Sequence, residues 1–230
     1  QWTLGLYQRD ADRRDRFVFE LFDIDNVDVT EVRSQAAFAE VTYALPALPF
    51  DLTGGLRYVR EQVGGFEMDR GLAYPDQDAV YTSFNPRAIV AWRANEAWRV
   101  YLSAAKGYRS GQLQPMVSSA LAGPLGIELP RALHDDSIWS YELGAKAWLR
   151  GGQLELEGAL YHSDWRNVAV RIPLGGTGFN GLINSPGTTT NGVEARVLWR
   201  LGPAWTVHLN ASYADAQYAG SVPGTGITKG

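Results

Sequence analysis

The sequence contains no cysteine, which excludes a disulfide framework, a zinc–thiolate site, an iron–sulfur cluster and a cysteine nucleophile. The compartment stays open, because an oxidising compartment permits disulfides without requiring them. A run of about 18 apolar residues is also missing, so no transmembrane helix is encoded. There is no basic excess: 21 Lys and Arg stand against 25 Asp and Glu, with a formal net charge of -4 and a pI near 5.4. Nucleic acid is therefore not the expected partner, since phosphate neutralisation needs a clustered basic surface. The opening Gln1-Trp2-Thr3-Leu4 has no Met, no basic n-region and no small-residue cleavage site, and reads as an internal cut or a mature end. What is present is ample: 230 residues, 45% apolar and 12% aromatic, which is enough for a core and incompatible with disorder. The mean hydropathy of -0.21 reads as an ordinary globular protein, but an average hides alternation.

Alternation at period two runs through the chain, with almost no helical spacing. Ala37, Ala39, Val41, Tyr43 and Leu45 oppose Phe38, Glu40, Thr42 and Ala44. The pattern returns around 52–58, 88–93, 98–105, 141–147, 154–161, 193–200 and 205–213. With a short opening strand near Trp2, this predicts about nine strands of roughly 9–12 residues, the length that crosses a bilayer obliquely. Usual soluble strands have about 5–6 residues. Connections alternate in kind. Tight links at 45–51, 94–97, 150–153 and 201–204 exchange with long ones of about 20–29 residues, near 8–34, 61–82, 110–138 and 168–190. Uncovered loops of that length are uncommon in compact soluble domains, whereas an outer-membrane barrel has short periplasmic turns and long extracellular loops. Trp92 and Trp98 flank one tight turn, Trp199 and Trp205 another, and Tyr43 and Phe50 a third. Amphipathic indoles gather at a membrane–water interface, so Tyr43, Trp92, Trp98, Trp199 and Trp205 are read as a periplasmic aromatic girdle. Bulky aromatics capping a sandwich core are the alternative.

Four segments then resemble the barrel of TonB-dependent outer-membrane receptors. They are Asn85-Pro86-Arg87 leading to the strand from Trp98 to Gly111, the pair 37–43 and 52–58, the pair 140–146 and 154–161, and the pair 191–195 and 207–213. Their order and spacing cover the chain from about Ser34 to Tyr218. The resemblance implies a barrel of about 22 strands around an N-terminal plug, importing a ferric siderophore, cobalamin or similar scarce nutrient with energy relayed through TonB. An odd strand count cannot close as a bacterial single-chain barrel. The expectation is therefore that residues 1–230 are part of the barrel domain, with the plug domain and the remaining strands outside them. The fold class is all-β, an antiparallel transmembrane β-barrel fragment of about 9–10 meander strands in the outer membrane, facing its lipid.

Other motifs carry less. Gly176-Thr177-Gly178-Phe179-Asn180-Gly181 has dinucleotide spacing, but Pro186 and threonines follow where a helix is needed. Asp23, Asp25 and Asp28 suggest calcium, yet an EF-hand would need glycine and glutamate where Asp28 and Ser34 stand. His134-Asp135-Asp136 finds no partner spaced to complete a metal site, and His162 and His208 sit on strands. Ser103, Ser110 and Ser212 lack a Gly-x-Ser-x-Gly setting. No enzyme, cofactor or metal site is expected.

The other strand face is charged. Arg57, Arg87, Arg99, Glu142, Lys146, Glu155, Glu157, Glu194, Arg196 and Arg200 would face the lumen, because alternation leaves one face for lipid and the other for water or a plug. Ligand contacts are expected from Tyr81, Lys106, Tyr108, Arg109 and Trp139, since arginine and aromatic side chains suit anionic or catecholate-like ferric complexes. The stretch 106–109 also fits plain strand-end architecture. Two readings of other classes stand beside the receptor: a passive porin or adhesin barrel of about ten strands, and a soluble carbohydrate-binding β-sandwich.

Overall fold

A computed structural model of the chain describes residues 1–19, 24–222 and 227–230. Its strands are β1 (Trp2–Phe19), β2 (Ile24–Ala44), β3 (Phe50–Asp69), β4 (Leu72–Ala73), β5 (Gln77–Arg93), β6 (Trp98–Arg109), β7 (Asp136–Leu149), β8 (Leu154–Arg166), β9 (Ala169–Pro173), β10 (Asn180–Asn184), β11 (Thr188–Arg200) and β12 (Thr206–Tyr218). Nine of them pair in the order β1-β2-β3-β5-β6-β7-β8-β11-β12, each antiparallel to its neighbour, while β9 and β10 form a separate hairpin. The sheet is not closed on itself. This is the expected barrel meander, and the only second sheet among the described residues is the two-stranded β9–β10 hairpin, too small to be the second layer of a β-sandwich.

Register sorts the side chains. On the outer face Trp2, Val41, Gly54 and Ala88 are cross-strand neighbours, as are Leu102, Leu143, Leu160 and Val193 along their own row. Large apolar groups here stand open: Leu6 is 86% exposed, Leu102 58% and Leu209 60%. A continuous apolar face of this extent cannot face water; lipid covers it. Tyr43, Trp92, Trp98, Trp199 and Trp205 lie at the tight-turn end of this apolar face, with Trp205 73% exposed. On the inner face Tyr101 lies over Gly144 and Tyr161 over Gly192, the Cα partners opposite them. A Cβ at either glycine would come within 2.3 Å of the ring, so only glycine lets the aromatic lie flat across the strand.

Three expectations need correction. The segments 8–34 and 61–82 are mainly strand, not loop. β1 and β2 stay paired from Trp2↔Val41 to Phe19↔Ile24, and β3 with β5 as far as Gly65↔Gln77. Above the belt both faces are wet, so the alternating apolar signal vanishes while the backbone ladder continues. Cross-strand ion pairs replace apolar contacts there: Arg16 donates twice to Asp25 at 2.7 Å, and Arg33 to Asp10 at 2.8 Å. The segment 110–138 contains a short helix, α1 (Met116–Ala122), which the sequence reading did not anticipate. The segment 168–190 contains β9 and β10, and its glycine-rich motif forms their turn, with positive φ at Gly175, Gly176 and Gly178.

Candidate functional site

Charged side chains share the sheet face opposite the apolar one, and several of them pair across neighbouring strands. Arg87 reaches Glu40 at 3.3 Å, Lys146 and Arg196 reach Glu157 at 3.5 and 3.9 Å, and Arg200 reaches Glu155 at 2.7 Å. The Tyr101 hydroxyl donates to Glu142. Arg99 lies over the Trp148 ring at 5.7 Å, and Arg57 over Tyr7 at 5.9 Å. Tyr101, Glu142, Lys146, Glu157, Glu194 and Arg196 surround a recess of about 340 Å³. These pairs are half-exposed, so each contributes about 0–1 kcal/mol; they interleave acids and bases across this face.

Higher up, residues 110–135 turn inward over the sheet. Ser110 donates to Glu61 on β3, and the Tyr81 hydroxyl donates to the Leu133 carbonyl at 2.9 Å. The Glu67 carboxylate accepts from the backbone N–H groups of Met116 and Val117 at 2.6 and 3.2 Å, closing the first turn of α1, where four amides otherwise lack partners. The β9–β10 hairpin locks the other side: Ser118 donates to the Asn180 carbonyl at 2.9 Å, and the Leu182 N–H to the Gln114 side chain at 3.3 Å. Asn184 accepts from the His134 N–H at 2.9 Å and donates back to its carbonyl at 3.1 Å.

Between this folded-in segment and the inner face of β1, β2 and β3 lies a cavity of about 1130 Å³. Arg9, Arg13 and Arg171 face it, together with Asp15, Asp28, Glu61 and Glu67. Burial pushes the Glu67 carboxyl above the usual carboxylate range. It does the same for Asp28, with Asp15 opposite adding to the effect. The mouth therefore mixes fixed guanidinium charge with acids that hold protons more readily than free carboxylates, a surface suited to a large polar or anionic guest.

None of the five expected ligand contacts lines this cavity. Tyr81 stays on the inner face, engaged with Leu133. Arg109 is inner too, but its guanidinium is bound to Asp136, at 2.8 Å through Nε, and lies 5.2 Å over the Trp165 ring. The Tyr108 hydroxyl is enclosed. Lys106 and Trp139 are Cα partners in the same alternating rows as Leu102, Ala104, Tyr141 and Leu143, which puts both on the outer, lipid side. Of the acidic run, Asp25 is held by Arg16 and Asp23 lies outside the described residues. Among the described residues no three His, Asp or Glu groups converge as a metal site. The cavity's own arginines were missed because Arg9 to Arg16 read as loop; the usable signal was Arg9, Ala11, Arg13, Asp15 and Phe17 recurring every second residue.

The family model described as TonB dependent receptor-like, beta-barrel matches residues 1–230. Among solved structures, the ferric yersiniabactin uptake receptor FyuA from Yersinia pestis superposes with a TM-score of 0.75 at 18% identity, over 95% of this chain and 32% of that one. The siderophore receptor PiuA from Acinetobacter baumannii gives 0.65 at 15%, over 87% of this chain and 29% of that one. The alcaligin outer membrane receptor FauA from Bordetella pertussis gives 0.61 at 16%, over 95% and 40%. The chain thus spans about a third of the length of the structures it resembles, and at these identities the likeness is one of fold.

Proposed function

Because the chain belongs to the TonB-dependent receptor-like β-barrel family, we propose that it forms part of the barrel of an active-transport receptor, which takes up a ferric siderophore or a similarly scarce nutrient. The barrel lies in the outer membrane. The plug domain and TonB are its proposed partners, and the charged inner face is the surface against which a plug would sit. The observation that carries the reading is the pairing of two features on one sheet: a lipid-facing apolar belt, and behind it a charged lumen widening into the 1130 Å³ cavity at its mouth. A cavity of that size exceeds the usual small-ligand pocket and fits a bulky chelate better than a small solute.

Cargo would first meet Arg9, Arg13 and Arg171 at the mouth. Tyr81 and Arg109 stand on the same inner face and would contact cargo once it displaced the folded-in segment. No step here calls for bond chemistry by the protein; the proposal is binding and passage, not catalysis. The deciding experiment uses the full-length receptor in cells with and without TonB, following uptake of labelled ferric siderophores. TonB-dependent, saturable uptake supports the proposal. Uptake that persists without TonB and falls off only with solute size would overturn it in favour of a passive porin.

A further inference from the structure

Three carboxylates stand side by side on one wall of the large cavity. Asp15 on β1 and Asp28 on β2 are Cα partners, and Asp28 is in turn the partner of Glu67 on β3. All three line the cavity, with the spacing of about 5 Å that directly opposite side chains have. Lower on the same face acids are set against bases, as in Glu40 with Arg87 and Glu157 with Lys146. Here acid is set against acid, an arrangement that destabilises a sheet.

The surroundings decide which members of the row can change charge. Asp15 is paired with Arg13 on its own strand at 2.6 Å. Asp28 faces Asp15 and Arg13 from β1 and Glu67 from β3, and burial, with the Asp15 charge added, raises its pKa. Glu67 faces Asp28 from β2, and Tyr74 donates its N–H to the Glu67 carbonyl at 2.8 Å. Glu61 and Asp69 share its strand, Asp69 lying 3.5 Å from Arg70. From α1 the N–H groups of Met116 and Val117 both go to Oε2, which leaves Oε1 to carry a proton. Two more guanidiniums line the cavity, Arg9 from β1 and Arg171 from β9, and neither has a partner among the described residues. Gln114, 1% exposed, lines it too, and its side-chain amino group has no partner either. Donors left without acceptors around one cavity suit an anionic guest.

We propose that the Asp15–Asp28–Glu67 row is a proton-operated charge switch, by which the receptor captures anionic metal chelates in acidic surroundings and holds them more weakly at neutral pH. The switch rests on the reading of this cavity as the cargo site. With the row ionised, four carboxylates stand against three guanidiniums around the cavity; with Asp28 and Glu67 protonated, the guanidiniums prevail. An anionic guest therefore binds the protonated cavity better and takes up protons as it enters. Affinity is flat well above the raised carboxylate pKa values and climbs as pH falls through them, by up to about tenfold per pH unit for each proton taken up. It levels off once the empty site is itself protonated.

The test is isothermal titration of the full-length receptor in nanodiscs with tris(oxalato)chromate(III), an inert trianion, and with the neutral tris(acetylacetonato)chromium(III) as control. Wild type should bind the trianion tighter at pH 5 than at pH 7.5 by about tenfold or more, with proton uptake read from buffers of different ionisation enthalpy, and show no such dependence for the neutral complex. Asp28→Asn/Glu67→Gln should bind the trianion tightly at both pH values without proton uptake. Should that pair fail to insert, Asp28→Asn alone should lose about half of the uptake, one of two protons. Arg9→Ala/Arg171→Ala should weaken trianion binding about tenfold or more at both pH values, the scale of lost charge-assisted bonds, and Asp12→Asn on the outer face should behave as wild type. No binding of the trianion, an affinity level with pH, or a pH dependence that survives Asp28→Asn/Glu67→Gln overturns the switch. TonB-dependent uptake with pH-independent binding removes the switch and leaves the transport reading intact; proton-linked binding with uptake that ignores TonB does the reverse.

Discussion

Removing the Glu67 carboxylate tests what holds the mouth of the lumen. Glu67 is only 6% exposed and accepts two backbone N–H groups at the start of α1, from Met116 and Val117. In Glu67→Ala both donors lose their acceptor. An unmet buried amide costs about 1–3 kcal/mol, but these can reach water if the segment swings out, so the net loss is about 2–4 kcal/mol of docking free energy. At 1.4 kcal/mol per tenfold, hydrogen exchange of amides 113–122 in the full-length receptor should speed up by between about thirtyfold and several hundredfold, while the amides of β6 and β7 within the belt stay unchanged. Glu67→Gln is the discriminating control. Burial raises the Glu67 pKa when docked, so the neutral form is the better-tolerated one, and an amide that keeps an acceptor oxygen should cost little. The sign follows for pH. Docked Glu67 binds protons more readily than released Glu67, so the docking stability present below the ordinary carboxylate pKa is lost as pH rises through the raised one. Exchange corrected for its intrinsic rate should be slower at pH 4 than at pH 7 in wild type, and level in Glu67→Gln. If Glu67→Ala leaves exchange in 113–122 unchanged, or Glu67→Gln is as damaging as Glu67→Ala, the carboxylate does not hold the segment.

The remaining expectations concern the two faces. Leu102→Arg, placing a charge in the middle of the lipid belt, should cost about 2–4 kcal/mol in unfolding titrations from lipid vesicles, far more than Leu102→Ala. Gly144→Val drives a branched side chain into the Tyr101 ring and should destabilise by about 1–3 kcal/mol; adding Tyr101→Ala should recover part of that, and simple additivity would show that the two do not touch. Glu157→Ala removes the partner of Lys146 and Arg196 yet should cost less than about 1 kcal/mol, with the effect shrinking further in high salt.

The two faces of the sheet were legible because they obey one rule. Within the lipid, every outer position is apolar and inner ones can be charged, so Leu102, Leu143 and Leu160 on one side and Lys146, Glu157 and Arg196 on the other follow directly from parity. Trp92, Trp98, Trp199 and Trp205 stand beside tight turns, where the sequence already places them. The mouth was not legible. Once strands leave the lipid, neither face must be apolar, and Arg9-Asp10-Ala11-Asp12-Arg13 looks like loop although its backbone is paired throughout.

The sequence alone determined the strand alternation, the family and which face meets lipid, because these depend on local periodicity and on residue order. Parity with Leu102 and Leu143, itself legible in the sequence, turns Lys106 and Trp139 outward although their residue types suit a ligand. Only the tertiary structure decided where the cavity lies. Arg9, Arg13, Glu67 and Arg171 are far apart along the chain and come together because residues 110–135 fold back between β3 and the β9–β10 hairpin. A long-range contact of that kind leaves no periodic trace; it arises from hydrogen bonds between segments whose sequences do not encode each other.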